Sequence, residues 1–110
     1  MKVTITSIEL KGPFKFFALS AKAFSITKQL KSSNYQGFRS SGFWTKHYTM
    51  TLWNNEEDLK TFARSGAHLK AMKSSKEIAK EIRTITIEAD SLPNWKKAKR
   101  LLLNGKVIQY

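Results

Sequence analysis

Apolar and polar residues alternate in three segments of this chain, which is the pattern of a half-buried β-strand. Residues 2–10 and 83–88 place valine or isoleucine on one side and threonine on the other, and residues 43–53 alternate in the same way with larger side chains. Residues 35–41 predict a weaker strand, because glycine and serine suggest a bend or bulge before the next segment. Residues 107–110 are short and apolar, and could add to a sheet edge in this subunit or in a partner.

Apolar residues recur at helical spacing between these strands. Residues 14–30 carry two neighbouring apolar stripes, so we predict a helix that packs on the sheet with its phenylalanines in the core. Residues 54–58, NNEED, predict the capped start of a second helix, which we expect to kink near Gly66 and to end by Glu81. A third helix is predicted over about residues 94–104, between an asparagine cap and an asparagine–glycine stop.

The order of these elements is strand, helix, strand, strand, helix, strand, followed by a C-terminal helix. Two strand–helix–strand units in this order are typical of the ferredoxin-like βαββαβ split sheet, an α+β fold with an antiparallel sheet and helices on one face. We therefore predict that residues 1–110 form a single ferredoxin-like domain. The C-terminal helix and tail occupy about residues 91–110 of it.

The two faces of the predicted sheet differ in chemistry. The apolar face collects Val3, Ile5, Tyr48, Met50, Leu52, Ile85 and Ile87, and the threonine face collects Thr4, Thr6, Thr45, His47, Thr49, Thr51, Thr84 and Thr86. Threonine combines a methyl group with a hydroxyl, which suits a face that is covered but polar. We predict that the helices cover the apolar face and that a second subunit covers the threonine face, forming a dimeric α+β barrel. The alternative is an exposed face on which threonine is simply a good strand former.

Charge is the unusual feature of the composition. Twenty Lys and Arg residues against eight Asp and Glu residues give a net charge of +12, and the densest basic patch spans residues 96–100. A basic surface attracts polyanions, but scattered charge also serves solubility alone. Sheet-based RNA binders of this topology display aromatic side chains on the exposed central strands. Because threonine and histidine stand there instead, nucleic acid is not an expected partner, and polyanion binding by the C-terminal helix is kept only as an alternative.

Composition also bounds the compartment and the chemistry. The sequence lacks cysteine, which fits a cytoplasmic protein and excludes thiol chemistry. No stretch approaches the roughly 18 apolar residues that span a bilayer, and the first residues lack the apolar run of a signal peptide, so no membrane partner is expected. Glycine-rich phosphate loops, nucleophile motifs and paired-carboxylate motifs are absent, so hydrolase or dinucleotide chemistry has no support.

A resemblance to a known family is carried by residues 52–57, LWNNEE, by Phe62, and by residues 65–72, SGAHLKAM. The segment resembles the dimeric α+β barrel superfamily, which includes antibiotic-biosynthesis-type monooxygenases and spheroidene monooxygenase-like proteins. The resemblance implies a homodimer with a pocket between helices and sheet or within the barrel. It also implies oxidation of an apolar or aromatic small molecule without a cofactor, the substrate itself reacting with oxygen. Many members have no established activity, so the same fold could equally serve as a non-catalytic small-molecule-binding module.

Some members of that superfamily instead bind and degrade haem, using asparagine, tryptophan and histidine side chains. The haem pattern fails in part in this chain. Phe62 takes the position of the helix tryptophan, and Met72 takes the position expected for the haem-ligating histidine, about one turn after His68. Haem degradation is therefore not the expected activity.

The candidate catalytic residues are His68, near the predicted kink, and His47, on the threonine face. A neutral imidazole can donate or accept a proton near neutral pH. Two histidines do not make a metal site, and residues 10–55 contain no carboxylate to complete one. The candidate ligand-binding residues are Trp53, Trp44, Tyr48, Phe62 and Arg39. Packing is the more common role of a tryptophan that stands, like Trp53, where a strand meets a helix.

Overall fold

The structure is a computed structural model that describes residues 1–31, 34–64 and 77–110, with Phe43 described by its backbone alone. The strands are Lys2–Leu10 (β1), Tyr35–Phe43 (β2), Lys46–Trp53 (β3), Ala79–Glu88 (β4) and Lys106–Gln109 (β5). The helices of the described residues are Phe16–Lys31 (α1), preceded by the 3-10 turn Pro13–Lys15, then Glu56–Ala63 (α2) and Trp95–Leu102 (α3). The strands form one antiparallel sheet in the order β2-β3-β1-β4-β5. The predicted ferredoxin-like fold class is confirmed.

The C-terminal tail joins the sheet of its own chain. β5 pairs antiparallel with β4, and Ile108 lies opposite Ile82. The backbone N–H of Tyr110 continues the ladder by donating to the carbonyl of Lys80 at 3.0 Å. Of the two possibilities that the sequence left open, the structure therefore shows the tail at the edge of this subunit.

The apolar face of the sheet is covered by α3. Val3, Ile5 and Met50 are fully buried there, and they pack in one cluster with Leu52 and with Ala98 and Leu102 of the helix. Removing a leucine side chain from water stabilises a fold by about 1.5–3 kcal/mol, so Leu102 is a main anchor of α3. The prediction that a helix covers the apolar face is confirmed, but the helix is the C-terminal one.

α1 and α2 of the same chain pack against the two ends of the threonine face. Alternation along β3 places Trp53 on this face, where it packs against Phe62 of α2 and Leu30 of α1. At the other end of the strand, the ring of His47 lies 5.5 Å from the ring of Phe16 of α1. Thr49 and Thr86, between these two contacts, are exposed, so the covering of this face by a second subunit stays a prediction. Alternation defines two faces, but it does not specify which helix covers each of them.

The threonine hydroxyls pair across strands β1 and β4. The hydroxyl oxygens of Thr4 and Thr86 lie 3.2 Å apart, and those of Thr6 and Thr84 lie 3.3 Å apart. Such cross-strand pairs satisfy polar groups while their methyl groups pack, and each contributes roughly 0.2–1 kcal/mol. Thr86 is exposed and Thr4, Thr6 and Thr84 are half-buried, so the expected cover of these threonines stays a prediction.

The phenylalanines of α1 are not in the core, contrary to prediction. Phe17 and Phe24 are 74% and 68% exposed, and Phe14 of the preceding 3-10 turn is 84% exposed, whereas Leu30 is buried and Ile26 is half-buried. The two apolar stripes of this helix point in different directions, and only one of them can face the sheet. The sequence pattern alone could not show which stripe that would be.

Two predicted element boundaries are corrected. Trp44 and Thr45 form the turn between β2 and β3 rather than the start of a strand, and Trp44 has a left-handed φ of 57°. β4 begins at Ala79, where a helix was predicted to continue, because Ala79 pairs with Leu10 of β1. Tertiary pairing there overrides the helical preference of the local sequence.

The predicted helix caps are confirmed. The side-chain oxygen of Asn55 accepts a hydrogen bond from the backbone N–H of Asp58 at 2.8 Å, and Asn94 caps α3 through Lys97 in the same way. These local signals are independent of tertiary packing, which is why the sequence predicts them well. The predicted kink at Gly66 lies outside the described residues.

Candidate functional site

Trp53 is the centre of the candidate site. Its side chain is only 1% exposed, and it packs with Phe62, Leu30 and the half-buried Tyr35. The ring centroids of Trp53 and Phe62 lie 5.2 Å apart. Within the part of the chain that the structure describes, the indole N–H of Trp53 has no hydrogen-bond acceptor. An unsatisfied buried donor costs about 1–3 kcal/mol, so an acceptor that reached this N–H would be bound favourably.

Two further residues shape the surroundings of Trp53, and the sequence did not single out either of them. Gln29 of α1 donates its side-chain N–H to the carbonyl of Phe62 at 3.2 Å, which ties α1 to the end of α2. Tyr35 lies opposite Trp53 in the β2–β3 ladder, just before a register shift at Gly37. The strand register of the β2–β3 hairpin could have identified Tyr35, because the first residue of β2 faces the last residue of β3.

His47 lies at the opposite end of the threonine face from Trp53. A strand rises about 3.3 Å per residue, so the Cα atoms of His47 and Trp53 are roughly 20 Å apart. The Nε2 atom of His47 lies 3.0 Å from the carbonyl oxygen of Trp44, to which it donates. The imidazole is thus engaged in the β2–β3 turn, and it does not share a small site with Trp53.

The other predicted ligand-binding residues are dispersed. Tyr48 lies on the apolar face, where its ring is 6.2 Å from that of Trp95 and 4.8 Å from the Nζ atom of Lys99. Arg39 lies opposite Met50 on β2 and is exposed, and Trp44 is exposed in the turn. Of the predicted ligand-binding residues, Trp53 and Phe62 are therefore the pair that meets.

His68 and Met72 lie outside the described residues. A shallow depression of mixed charge lies on the exposed side of α2, lined by Glu56, Glu57, Lys60, Thr61 and Arg64. The Nζ atom of Lys60 is 3.4 Å from a carboxylate oxygen of Glu56, so these side chains pair with each other. None of the predicted site residues lines this depression.

The described α-helices are 16, 8 and 8 residues long. None of them has the length and the apolar content to cross a bilayer.

Comparison with known proteins gives structural neighbours but no relatives in sequence. Neither a family model nor a curated protein matches the chain. A proposed antibiotic biosynthesis monooxygenase from Deinococcus radiodurans superimposes with a TM-score of 0.71 at 10% identity, covering 86% of this chain and 97% of that chain. A mutant of SnoaB, a cofactor-independent oxygenase from Streptomyces nogalater, gives a TM-score of 0.64 at 9% identity, covering 84% and 97%.

A conserved protein from Methanosarcina mazei Go1 is similar too, with a TM-score of 0.72 at 13% identity over 81% of this chain and 92% of that chain. The superpositions show that the fold is shared. At identities this low, they do not transfer activity. The fold implied by the sequence resemblance is thus confirmed, since structures described as antibiotic biosynthesis monooxygenases share it.

Proposed function

We propose that this chain is a monooxygenase-like protein that acts without a cofactor on an apolar or aromatic small molecule bound beside Trp53. The observation that carries the proposal is the buried indole N–H, which has no acceptor among the described residues. A carbonyl or phenolate oxygen of the ligand would supply that acceptor. The shared fold with a protein described as a cofactor-independent oxygenase supports the reaction class by analogy.

The residues around Trp53 suit an aromatic ligand. Phe62 and Tyr35 offer ring surfaces, and Thr51 offers a hydroxyl on the same face of β3. The cluster is closed in this conformation, so the ligand would enter by displacing α1. Among the 16 residues of that helix, only Leu30 is buried, and displacement therefore exposes little apolar surface.

The proposed reaction needs only the substrate and dioxygen. A base removes a proton from an activated methylene group, and the resulting carbanion reacts with dioxygen. The methylene carbon becomes a ketone carbonyl that holds one oxygen atom, and the other oxygen atom leaves as water with both hydrogens. The electrons lost by the carbon are those gained by dioxygen. Of the two candidate proton-handling groups, His47 and His68, we propose His68 for a ligand beside Trp53, because His47 lies roughly 20 Å from Trp53 along β3.

The test uses anthrone, an aromatic ketone with an activated methylene group, in an oxygen-consumption assay. Trp53→Phe keeps a ring and removes the N–H donor, so we expect KM to rise about tenfold or more. Trp95→Phe is the matched control, because Trp95 packs against Tyr48 on the other face of the sheet. Equal kinetics for the two variants, or no oxygen uptake by the wild type, would contradict the proposal.

Single variants at the histidines separate the two proton-handling candidates. His68→Ala should lower kcat with little change in stability if His68 is the base. His47→Ala should mainly destabilise the fold, since its Nε2 atom holds the turn at Trp44. Full turnover in both variants would remove both roles.

The second candidate function is a binding module of the same fold that performs no chemistry. It is favoured by the engagement of His47 in a turn, which leaves no catalytic set assembled among the described residues. Native mass spectrometry of the purified protein distinguishes the two functions when it is combined with the oxygen assay. A retained small molecule without oxygen uptake supports the binding module.

A further inference from the structure

An apolar stripe runs along the side of α1 that faces away from the sheet. We define the outer stripe as Phe14 of the preceding 3-10 turn with Phe17, Ala21 and Phe24 of α1, whose spacing of three and four residues places them on one side of the helix. All of these residues are exposed, and Phe14 is the most exposed large apolar side chain of the described residues. Three phenyl rings in water on one helix side are unusual in a monomeric protein and indicate an interaction surface.

The charged residues of α1 and of the segments that flank it in the sequence are all basic. No acidic residue occurs between Glu9 and Glu56, a stretch that contains the 3-10 turn, α1, β2 and β3. The basic residues of this stretch are Lys11, Lys15, Lys22, Lys28, Lys31, Arg39 and Lys46. Lys28 lies at the end of the stripe itself, with its Nζ atom 5.8 Å from the ring centroid of Phe24. The occupant of this surface must therefore present both apolar material and negative charge.

A second copy of the same surface does not meet that requirement. Two copies of α1 packed stripe to stripe would bring lysine against lysine, with no carboxylate on α1 itself to compensate. Like charges brought together in an interface oppose association. The phosphates of a nucleic acid would pair with the lysines. The hydrophilic backbone of the nucleic acid would leave the phenyl rings on the helix surface largely exposed to water.

An anionic lipid surface presents both apolar material and negative charge. A helix with lysines beside phenylalanines lies in the interfacial plane of a bilayer, with its rings at the boundary of headgroups and acyl chains. The lysines then meet lipid phosphates, and the net charge of +12 adds long-range attraction. We propose that the outer stripe of α1 docks this protein reversibly on anionic phospholipid membranes. The helix lies on the bilayer and does not span it.

The test is co-sedimentation of the full chain with vesicles of phosphatidylcholine alone and with an equimolar mixture of phosphatidylcholine and phosphatidylserine. We expect binding to the mixed vesicles that weakens as salt is added, and little binding to phosphatidylcholine alone. The double variant Phe17→Gln, Phe24→Gln should bind the mixed vesicles at least tenfold more weakly, because two rings no longer leave water. Its far-ultraviolet circular dichroism should match the wild type, since both rings are exposed.

Two matched controls separate the stripe from general surface properties. Leu103→Gln, Val107→Gln removes exposed apolar side chains on the C-terminal side of the domain and should bind like the wild type. Lys15→Gln, Lys28→Gln should weaken binding about 25-fold, from roughly 1 kcal/mol per lysine near an anionic surface. Lys96→Gln, Lys97→Gln makes the same change in net charge at exposed positions of α3 and should weaken it less.

Three results would overturn the proposal. Equal loss of vesicle binding in the Lys15/Lys28 and Lys96/Lys97 double variants would mean that net charge alone drives the binding. Unchanged vesicle binding of the phenylalanine variant, with RNA binding that needs the same lysines, would assign the surface to nucleic acid. A change from dimer to monomer on Phe17→Gln, Phe24→Gln in solution would show that a second copy covers the stripe.

Discussion

Gly42 and His47 fit together at the end of the β2–β3 hairpin. They lie opposite each other in the ladder, and a Cβ atom placed on Gly42 would be 2.1 Å from the Nδ1 atom of His47. The missing side chain makes room for the imidazole, which donates to the carbonyl of Trp44. A left-handed conformation costs a residue with a side chain roughly 1–2 kcal/mol, so this hydrogen bond helps to hold Trp44 in the turn.

Gly42→Ala should therefore destabilise the protein. The added methyl group must displace the imidazole and weaken its bond to Trp44, and we expect unfolding to become easier by about 1–3 kcal/mol. Urea denaturation measures the change. Gly12→Ala is the matched control, because a Cβ atom there meets nothing within 4 Å. Equal stability of the two variants would show that the His47 ring moves aside freely.

Glu88 makes stability depend on pH. The hydrogen bond and the positive charge of Lys2, whose Nζ atom lies 2.6 Å away, lower the pKa of Glu88 from its ordinary value of 4.5. A carboxyl with a lowered folded pKa stabilises the fold above its unfolded pKa, and that stability is lost as pH falls through the folded pKa. Stability should therefore decline below about pH 4.5, and less so in Glu88→Gln. Glu57→Gln is the exposed control, and an unchanged pH profile in Glu88→Gln would contradict this argument.

Among the helices and strands, the sequence predicts the helix caps, but it does not predict which helix covers which face of the sheet. The caps at Asn55 and Asn94 depend only on neighbouring backbone groups, so the sequence is sufficient to place them. In α1, by contrast, Leu30 and Phe24 belong to stripes of similar hydrophobicity, and only packing decides that Leu30 is buried. The start of β4 at Ala79 depends on Leu10, a partner far away in the sequence.

The sequence predicts only some residues of the candidate site, because local signals place some of them and tertiary packing places the others. The pair of Trp53 and Phe62 follows from a strand that ends where a capped helix begins, and the structure brings the two rings together. Tyr48 was predicted to share a site with them, although alternation already places Tyr48 on the face that carries Met50. The contribution of Tyr35 required the β2–β3 register, which no local pattern contains.

α3 should contribute a large share of the stability of the domain. Leu102→Ala leaves a cavity under α3 against Ile5 and Met50, and we expect a loss of about 2–5 kcal/mol in the free energy of unfolding. Leu103→Ala is the control at the next position, where the leucine is 71% exposed, and it should change stability by no more than about 0.5 kcal/mol. Similar urea midpoints for the two variants would show that α3 is not a firm part of the core.

For the whole molecule, helices on both faces of the sheet change how a dimer could form. A barrel shared between subunits would use the threonine face, where α1 and α2 pack against Trp53. The apolar face is occupied by α3 in the same way. A partner could reach the exposed Thr49 and Thr86 of the threonine face, the edges β2 and β5, or the outer surfaces of the helices. The homodimer that the sequence resemblance implies stays a prediction.

If the homodimer forms, added salt should strengthen it. Each subunit carries a net charge of +12, so two subunits repel each other. The screening length shortens from about 30 Å at 0.01 M salt to about 8 Å at 0.15 M salt, which removes most of that repulsion between exposed charges. Sedimentation velocity should therefore show a larger dimer fraction at the higher salt concentration. Lys96→Gln, Lys97→Gln lowers the repulsion directly and should raise the dimer fraction at low salt.

A monomer at every salt concentration would contradict the homodimer, and a dimer that salt dissociates would show that attraction between opposite charges holds it together.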